Sequence, residues 1–296
     1  MKKTGVILGI FAIFFAYSGL GQVSAAPTAE QWAAVMNVSG RQRMLSQKMS
    51  KEALMIAANI NPEENRKNLK DTIALFEKSL EGLISGDPAM NLPACEQENI
   101  LEQLERVKLL YQEMNQSLAK TVEGGVAEYD DMKQIAKASL PLLNAADKAV
   151  QMFNQEAQKV LVKDPTLATV INISGRQRML SQKIAKEALL LYMKVDIDVQ
   201  SQALSQTLGL FDKSLKALEF GDSEMGVPPT KDEGIIAQLK VVEAPWLILK
   251  PVVDKIATSV KLYAVSKDDI NTVCALAATL LTESNKAVSM YEKVAK

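Results

Sequence analysis

No histidine occurs anywhere in the 296 residues. That removes the commonest metal ligand and the commonest general base together. Cysteine is nearly as scarce, with Cys95 and Cys274 the only two. They occupy non-corresponding places in the chain's two halves, so no framework disulfide is indicated, although two cysteines in an exported chain can oxidise to a bridge. Alternating β-branched runs and Asn-Gly hairpins, the usual signs of strands, are missing. Charge of either sign is not in excess: 34 Lys and Arg stand against 35 Asp and Glu, a net of −1. Such a balance gives nothing to draw nucleic acid or an anionic membrane wholesale. After the first two dozen residues, no run approaches the ~20 apolar residues that a spanning helix needs.

Those first residues are themselves distinctive. Met1-Lys2-Lys3 is followed by the apolar run GVILGIFAIFFAYSGL, and then by the small residues Val23-Ser24-Ala25. A positive start, an apolar stretch and a small-residue site define a secretory signal peptide, here residues 1–25 with cleavage near Ala25 or Ala26. The run is nearly long enough to stay behind as an anchor instead. Either way the rest of the chain is expected outside the cytoplasm, periplasmic or secreted. No kinase or methyl-accepting module follows, so any signal is expected to pass through a transmembrane sensory partner.

The chain repeats itself. NVSGRQRMLSQKMSKEAL begins at Asn37 and NISGRQRMLSQKIAKEAL at Asn172, an offset of 135 residues. FEKSL at Phe76 recurs as FDKSL at Phe211, Gly86-Asp87 as Gly221-Asp222, Met90 as Met225 and Pro93 as Pro228. After a three-residue slip, KAVQMF at Lys148 pairs with KAVSMY at Lys286. Two tandem copies of one domain follow, residues 27–162 and 163–296.

Each copy reads as helices. Leu69, Ile73, Phe76, Leu80 and Leu83 step by four and three, as do Leu204, Leu208, Phe211, Leu215 and Leu218. This is the one-sided seam of a bundle helix. Gly86 and Gly221 stand where a left-handed residue ends such a helix, and Asp164 before Pro165 is a start signal. The pattern predicts helices at 28–59, 63–85, 95–122 and 127–162, then 165–196, 199–220, 231–264 and 267–295. The fold class is therefore all-α, as two tandem four-helix bundles.

The first helix of each copy carries the unusual face. Its core seam runs through Val38, Leu45, Met49 and Ile56, repeated as Ile173, Leu180, Ile184 and Leu191. Arg43 lies about 160° from Leu45, nearly opposite the seam, whereas Arg41 lies only about 40° away. Around Arg43 run Met36, Ser39, Gly40, Ser46, Gln47 and Ser50; around Arg178 run Ile171, Ser174, Gly175, Ser181, Gln182 and Ala185. A solvated helix surface is more stable with Ala, Glu and Lys, and glycine costs about 1 kcal/mol against alanine. Small residues there let another helix approach. A guanidinium is a planar charged fork suited to a planar oxyanion, so two such stripes face to face would repel unless an anion lay between them. An arginine there can equally pair with a glutamate, cover apolar surface or tie helices together. Of the 18 positions 37–54, 15 are identical between copies, against 3 of the next 21, which favours a shared constraint on this segment.

These residues carry a resemblance. SGRQRMLSQK in both copies, with FxKSLxxLxxGDxxM and a following proline, resembles the PilJ-type sensor domain of type IV pilus methyl-accepting chemotaxis transducers. It is also similar to the sensor domains of nitrate- and nitrite-responsive histidine kinases. The resemblance implies an extracytoplasmic four-helix bundle that binds a small anion such as nitrate or nitrite between the first helices of two paired domains. It implies ligand-binding roles for Gly40, Arg43, Gly175 and Arg178, and the stripe around the arginines offers Ser39, Gln47, Ser174 and Gln182 as supporting residues. The pairing is open: the two repeats within one chain, or a homodimer.

Enzyme chemistry finds little support. Asp130-Asp131 and Asp268-Asp269 stand at expected helix starts, where acids suit the dipole. Ser39 and Ser46 have no histidine to activate them, and the 13 methionines form no Met-x-Met cluster. No catalytic residue, metal or cofactor is expected. The alternative to a ligand-binding sensor is a helical adaptor of a periplasmic or pilus assembly with no small-molecule ligand.

Overall fold

A computed structural model of the chain describes residues 26–123, 129–160, 166–259 and 265–294. The expected signal peptide, the Asp164-Pro165 start signal and the junction at 162–163 lie outside them. Among the described residues the chain forms eight α-helices: α1 (Ala29–Ala57), α2 (Pro62–Ser85), α3 (Glu98–Val122), α4 (Tyr129–Val160), α5 (Leu167–Tyr192), α6 (Ile197–Phe220), α7 (Glu233–Ser259) and α8 (Lys267–Val294). No strand appears among these residues. Helices α1–α4 form one bundle and α5–α8 the other, as the repeat requires.

The sequence signals act as punctuation. Thr28 and Gln31 cap α1 reciprocally, each side chain accepting the other's backbone N–H at 3.2 and 2.9 Å. The corner between α1 and α2 places Asn59 and Asn61 at φ 54° and 41°, and Lys194 and Asp196 repeat it at 58° and 46°. This left-handed pair ends α1 and α5 a few residues before the expected 59 and 196. Gly86 and Gly221 close α2 and α6 at φ 83° and 82°. A Cβ there would stand 2.9 Å from the Ala94 nitrogen or 2.8 Å from Pro229, so only glycine fits. Asp87 and Asp222 then accept N–H bonds in the next turn, which accounts for the repeated Gly-Asp pair.

The cores follow the four-and-three pattern. Leu69, Phe76, Leu80 and Leu83 are buried, as are Leu204, Leu208, Phe211, Leu215 and Leu218. Phe76 packs on Tyr111 with ring centroids 4.7 Å apart, and Phe211 on Trp246 at 4.3 Å. No bridge joins the cysteines: Cys95 is half-buried ahead of α3 and Cys274 is buried in α8, both free.

Helices α1 and α5 are buried around nearly their whole circumference. Each packs on its own bundle with one face and on the other with the opposite face. The two bundles therefore lie side by side within one chain, and the pairing left open by the sequence is intramolecular. Asn37 meets Arg178, and further along α1, Gln47 meets Ser139, which also receives Lys186 of α5. Advancing along α1 thus advances along α5, so the two helices run in the same direction about a pseudo-two-fold axis.

Candidate functional site

Arg43 and Arg178 face each other across this seam, 0% and 3% exposed. The stripe that a single bundle would leave open is covered by its own repeat. Gly40 and Gly175 line the space that the guanidinium groups fill. A Cβ on Gly40 would stand 3.4 Å from Arg178 Nη2 and 3.5 Å from Arg43 Nη2; one on Gly175 would stand 3.2 and 3.7 Å from the same atoms. Both Nη2 groups thus converge on the small space between the two glycines.

Each arginine reaches across to the opposite repeat. Arg43 Nη2 donates to the carbonyl and side-chain oxygens of Asn172 at 3.2 and 2.8 Å. Arg178 donates to the same atoms of Asn37, at 3.1 Å from Nη2 and 2.8 Å from Nη1. The two half-sites then diverge. Arg43 Nη1 binds Asp147 of α4 at 2.6 Å, whereas the corresponding residue beside Arg178 is Asn285 of α8, at 3.4 Å. One arginine has a counter-ion and the other has a neutral amide. The remaining nearby acid, Glu292, accepts from the amide of Asn37 at 2.7 Å. The Nε atoms of both arginines are buried with no hydrogen-bond partner.

The electrostatics follow. Burial lowers the Arg43 pKa, opposed by Asp147, with Arg176 adding to the lowering. Burial also lowers Arg178, joined by Arg41 and Arg43 and only partly opposed by Glu292, down to about 9. Burial pushes the Asp147 carboxyl up, but Arg43, Arg176 and the Gln151 amide outweigh it and hold the group below its ordinary value. Positive charge in this seam is under-compensated. A small anion, above all a planar one that can accept from two guanidinium forks, is the chemistry it can receive.

Of the expected site residues, the structure brings Gly40, Arg43, Gly175 and Arg178 together. Ser39 and Ser174 are buried in the same stripe, and Ser39 donates to the Met36 carbonyl at 3.3 Å. Gln47 and Gln182 do not support the arginines. Gln47 bonds Ser46 and Ser139, and Gln182 bonds Ser181 and the Ala277 carbonyl, so both tie α1 or α5 to the fourth helix of its own bundle. Gln42 and Gln177 do the same toward the second helices, and Lys48–Glu52 and Lys183–Glu187 ion pairs reach Thr72 and Thr207. Much of the identity between the copies is thus packing of polar groups inside each bundle. The asparagines opening the repeated segment, Asn37 and Asn172, were not singled out from sequence, nor were Asp147 and Asn285. Invariance between copies marked the first pair, and a departure from the repeat marked the second.

Comparison with known proteins gives the family. The family model for the type IV pili methyl-accepting chemotaxis transducer N-terminal domain, PilJ, matches residues 26–140 and 160–266. The chain belongs to the PilJ family, in two tandem copies. Over 120 residues it is 32% identical to the methyl-accepting chemotaxis protein McpN of Pseudomonas aeruginosa, covering 40% of this chain and 21% of McpN. Protein PilJ of the same organism is 22% identical over 302 residues, 100% of this chain and 43% of PilJ. The chain spans less than half the length of these curated relatives. Among solved structures, the ligand-binding domain of the P. aeruginosa nitrate receptor McpN is similar at 29% identity, with a TM-score of 0.38, covering 42% of this chain and 96% of that domain. PilJ-family relatives are chemoreceptor sensor domains, not enzymes. Among the described residues no helix is long and apolar enough to cross a membrane, and no cluster of His, Cys, Asp or Glu suits a metal ion.

Proposed function

We propose that this PilJ-family chain is an extracytoplasmic sensory protein that binds one small monoanion between Arg43 and Arg178, and acts through a membrane-spanning partner. The observation that carries the reading is Arg178: a guanidinium 3% exposed whose hydrogen-bond acceptors are the neutral groups of Asn37 and Asn285. A buried, unneutralised charge is costly, and an anion that also accepts from Arg43 relieves that cost. Nitrate and nitrite lead the candidates because they are planar, singly charged and small enough to lie between two glycines. The relative McpN, described as a nitrate receptor, points the same way.

The bistable element is the α1–α5 seam. With an anion between the arginines the two first helices are bridged by ligand; without it they are bridged by the Asn37 and Asn172 contacts. That difference is what a partner can read. The test is a thermal-shift panel with nitrate, nitrite, formate, sulfate and phosphate on the chain and on Arg178→Gln. A ligand at a hundred times its dissociation constant adds about 2.7 kcal/mol of stability. A flat panel on the folded chain, or an unchanged response in Arg178→Gln, overturns the reading.

The runner-up is a docking module with no small ligand, favoured by exposed apolar residues on α7, namely Val241, Leu247 and Ile248, at 47%, 62% and 59% exposure. It predicts that no anion shifts melting and that substitutions on α7 change assembly.

A further inference from the structure

A second polar feature lies along the same seam, further from the N-terminal ends of α1 and α5. The repeated segment contributes two buried lysines, Lys51 and Lys186, 6% and 4% exposed. Their surroundings differ. Lys186 Nζ donates across the seam to Ser139 Oγ of α4 at 3.3 Å. The residue corresponding to Ser139 in the second repeat is Ala277, as the equivalent bonds from Gln47 and Gln182 to these two carbonyls show. Lys51 therefore has no matching hydroxyl, and among the described residues its ammonium has no hydrogen-bond or ion-pair partner. Its neighbour Glu52 attracts it without bonding it, since one carboxylate oxygen is engaged by Lys48 and the other has no hydrogen-bond partner. Its other neighbour is Cys274, whose thiol burial pushes up to about 11, so the sulfur is neutral and supplies no counter-charge.

Lys51 lines a cavity of about 340 Å³ between α1 and α2 of the first repeat and α8 of the second. One part of its wall is amide, from Asn61, Asn68 and Asn271; another is apolar, from Met55, Ile60 and Ala278. Glu64 stands exposed at the rim. A buried ammonium without a hydrogen-bond or ion-pair partner, in a wall that also carries amides and apolar side chains, suits a molecule with one anionic head and a short hydrocarbon tail. The rim carboxylate disfavours a second negative charge.

We propose that this cavity is a binding site for a short-chain monocarboxylate, its carboxylate on Lys51 and its tail against Met55, Ile60 and Ala278. The proposal is independent of the anion site at Arg43 and Arg178. Because the cavity is walled by both repeats, an occupant ties the two bundles together at a second point along the seam.

The experiment is isothermal titration of the chain with sodium butyrate, against sodium chloride at matched ionic strength, with disodium succinate as a dianionic comparison. Saturable butyrate binding is expected, with succinate weaker. Lys51→Met should lower butyrate affinity at least tenfold, with far-UV circular dichroism checking that the variant is folded. Ala277→Ser adds one oxygen where the other repeat has Ser139. It should give Lys51 an internal partner and weaken butyrate binding several-fold without loss of fold. Lys186→Met should leave butyrate affinity unchanged. No saturable heat, or an affinity unmoved by both Lys51→Met and Ala277→Ser, overturns the proposal.

Discussion

Asn285→Asp tests the charge argument directly, because it gives Arg178 what Arg43 already has. The amide oxygen of Asn285 is 3.4 Å from Arg178 Nη1. A full carboxylate charge at that separation interacts with a guanidinium by about 5 kcal/mol at an effective dielectric of 20. Against this stands the cost of desolvating the new carboxylate, several kcal/mol for a buried ion. The relevant comparison is Asp147, which keeps 30% of its side chain exposed while paired to Arg43, so part of that cost is spared. A net gain of about 1–2 kcal/mol for the ligand-free protein is expected, read as a higher midpoint in urea. If the external anion occupies Arg178 because that charge is unpaired, the same substitution lowers anion affinity by about 5–30-fold. Titration calorimetry with nitrate measures this on the same sample. The mirror change, Asp147→Asn, should lower ligand-free stability and tighten anion binding. Affinity unmoved in Asn285→Asp while stability rises would refute the idea that the anion answers an unpaired Arg178.

Gly175→Ala places a Cβ 3.2 Å from Arg178 Nη2; helix propensity favours alanine by about 1 kcal/mol, so melting should hold or rise while anion affinity falls at least tenfold. If affinity survives, the glycines serve packing alone. Gln42→Leu removes the amide that donates to the Phe76 carbonyl and Ser79 hydroxyl; it should cost about 1–3 kcal/mol in urea denaturation and leave anion affinity unchanged. Burial holds Lys186 at about 8, below its ordinary 10.5, with Glu187 opposing and Lys48's counterpart Lys183 adding to the lowering. Between these values the unfolded chain binds more protons than the folded one, so stability should rise with pH across about 8 to 10.5, at most on the order of 1 kcal/mol per unit. Lys186→Met should flatten that rise, and an equal slope in both proteins would refute the assignment.

The bundle architecture was legible because its signals are local. The four-and-three spacing from Leu69 to Leu83 and the glycines at 86 and 221 act within one helix and its end. The site was legible in part. A helical wheel places Arg43 opposite the core seam, and a glycine three residues earlier marks close approach. That the covering helix is α5 depends on how whole bundles pack, which no local pattern encodes. Gln47 and Gln182 misled because they share the stripe's sequence register, yet their long side chains swing back to α4 and α8. Asp147 was out of reach for a different reason. It comes from α4, 104 residues away from Arg43, and reads in sequence as an ordinary surface aspartate.

If the seam takes up an anion as proposed, joining its two halves in one polypeptide alters how such a detector depends on its own abundance. When a pocket is completed by two separate chains, dilution dissolves it, and apparent ligand affinity drifts with protein level. Here the α1–α5 seam is preassembled at an effective concentration fixed by the connection between the repeats. Under that proposal, occupancy reports the solute alone. A covalent pair also frees its halves from identity, so one residue of the seam can change without its twin. The aspartate at 147, whose twin in the second repeat is the asparagine at 285, is that freedom in use.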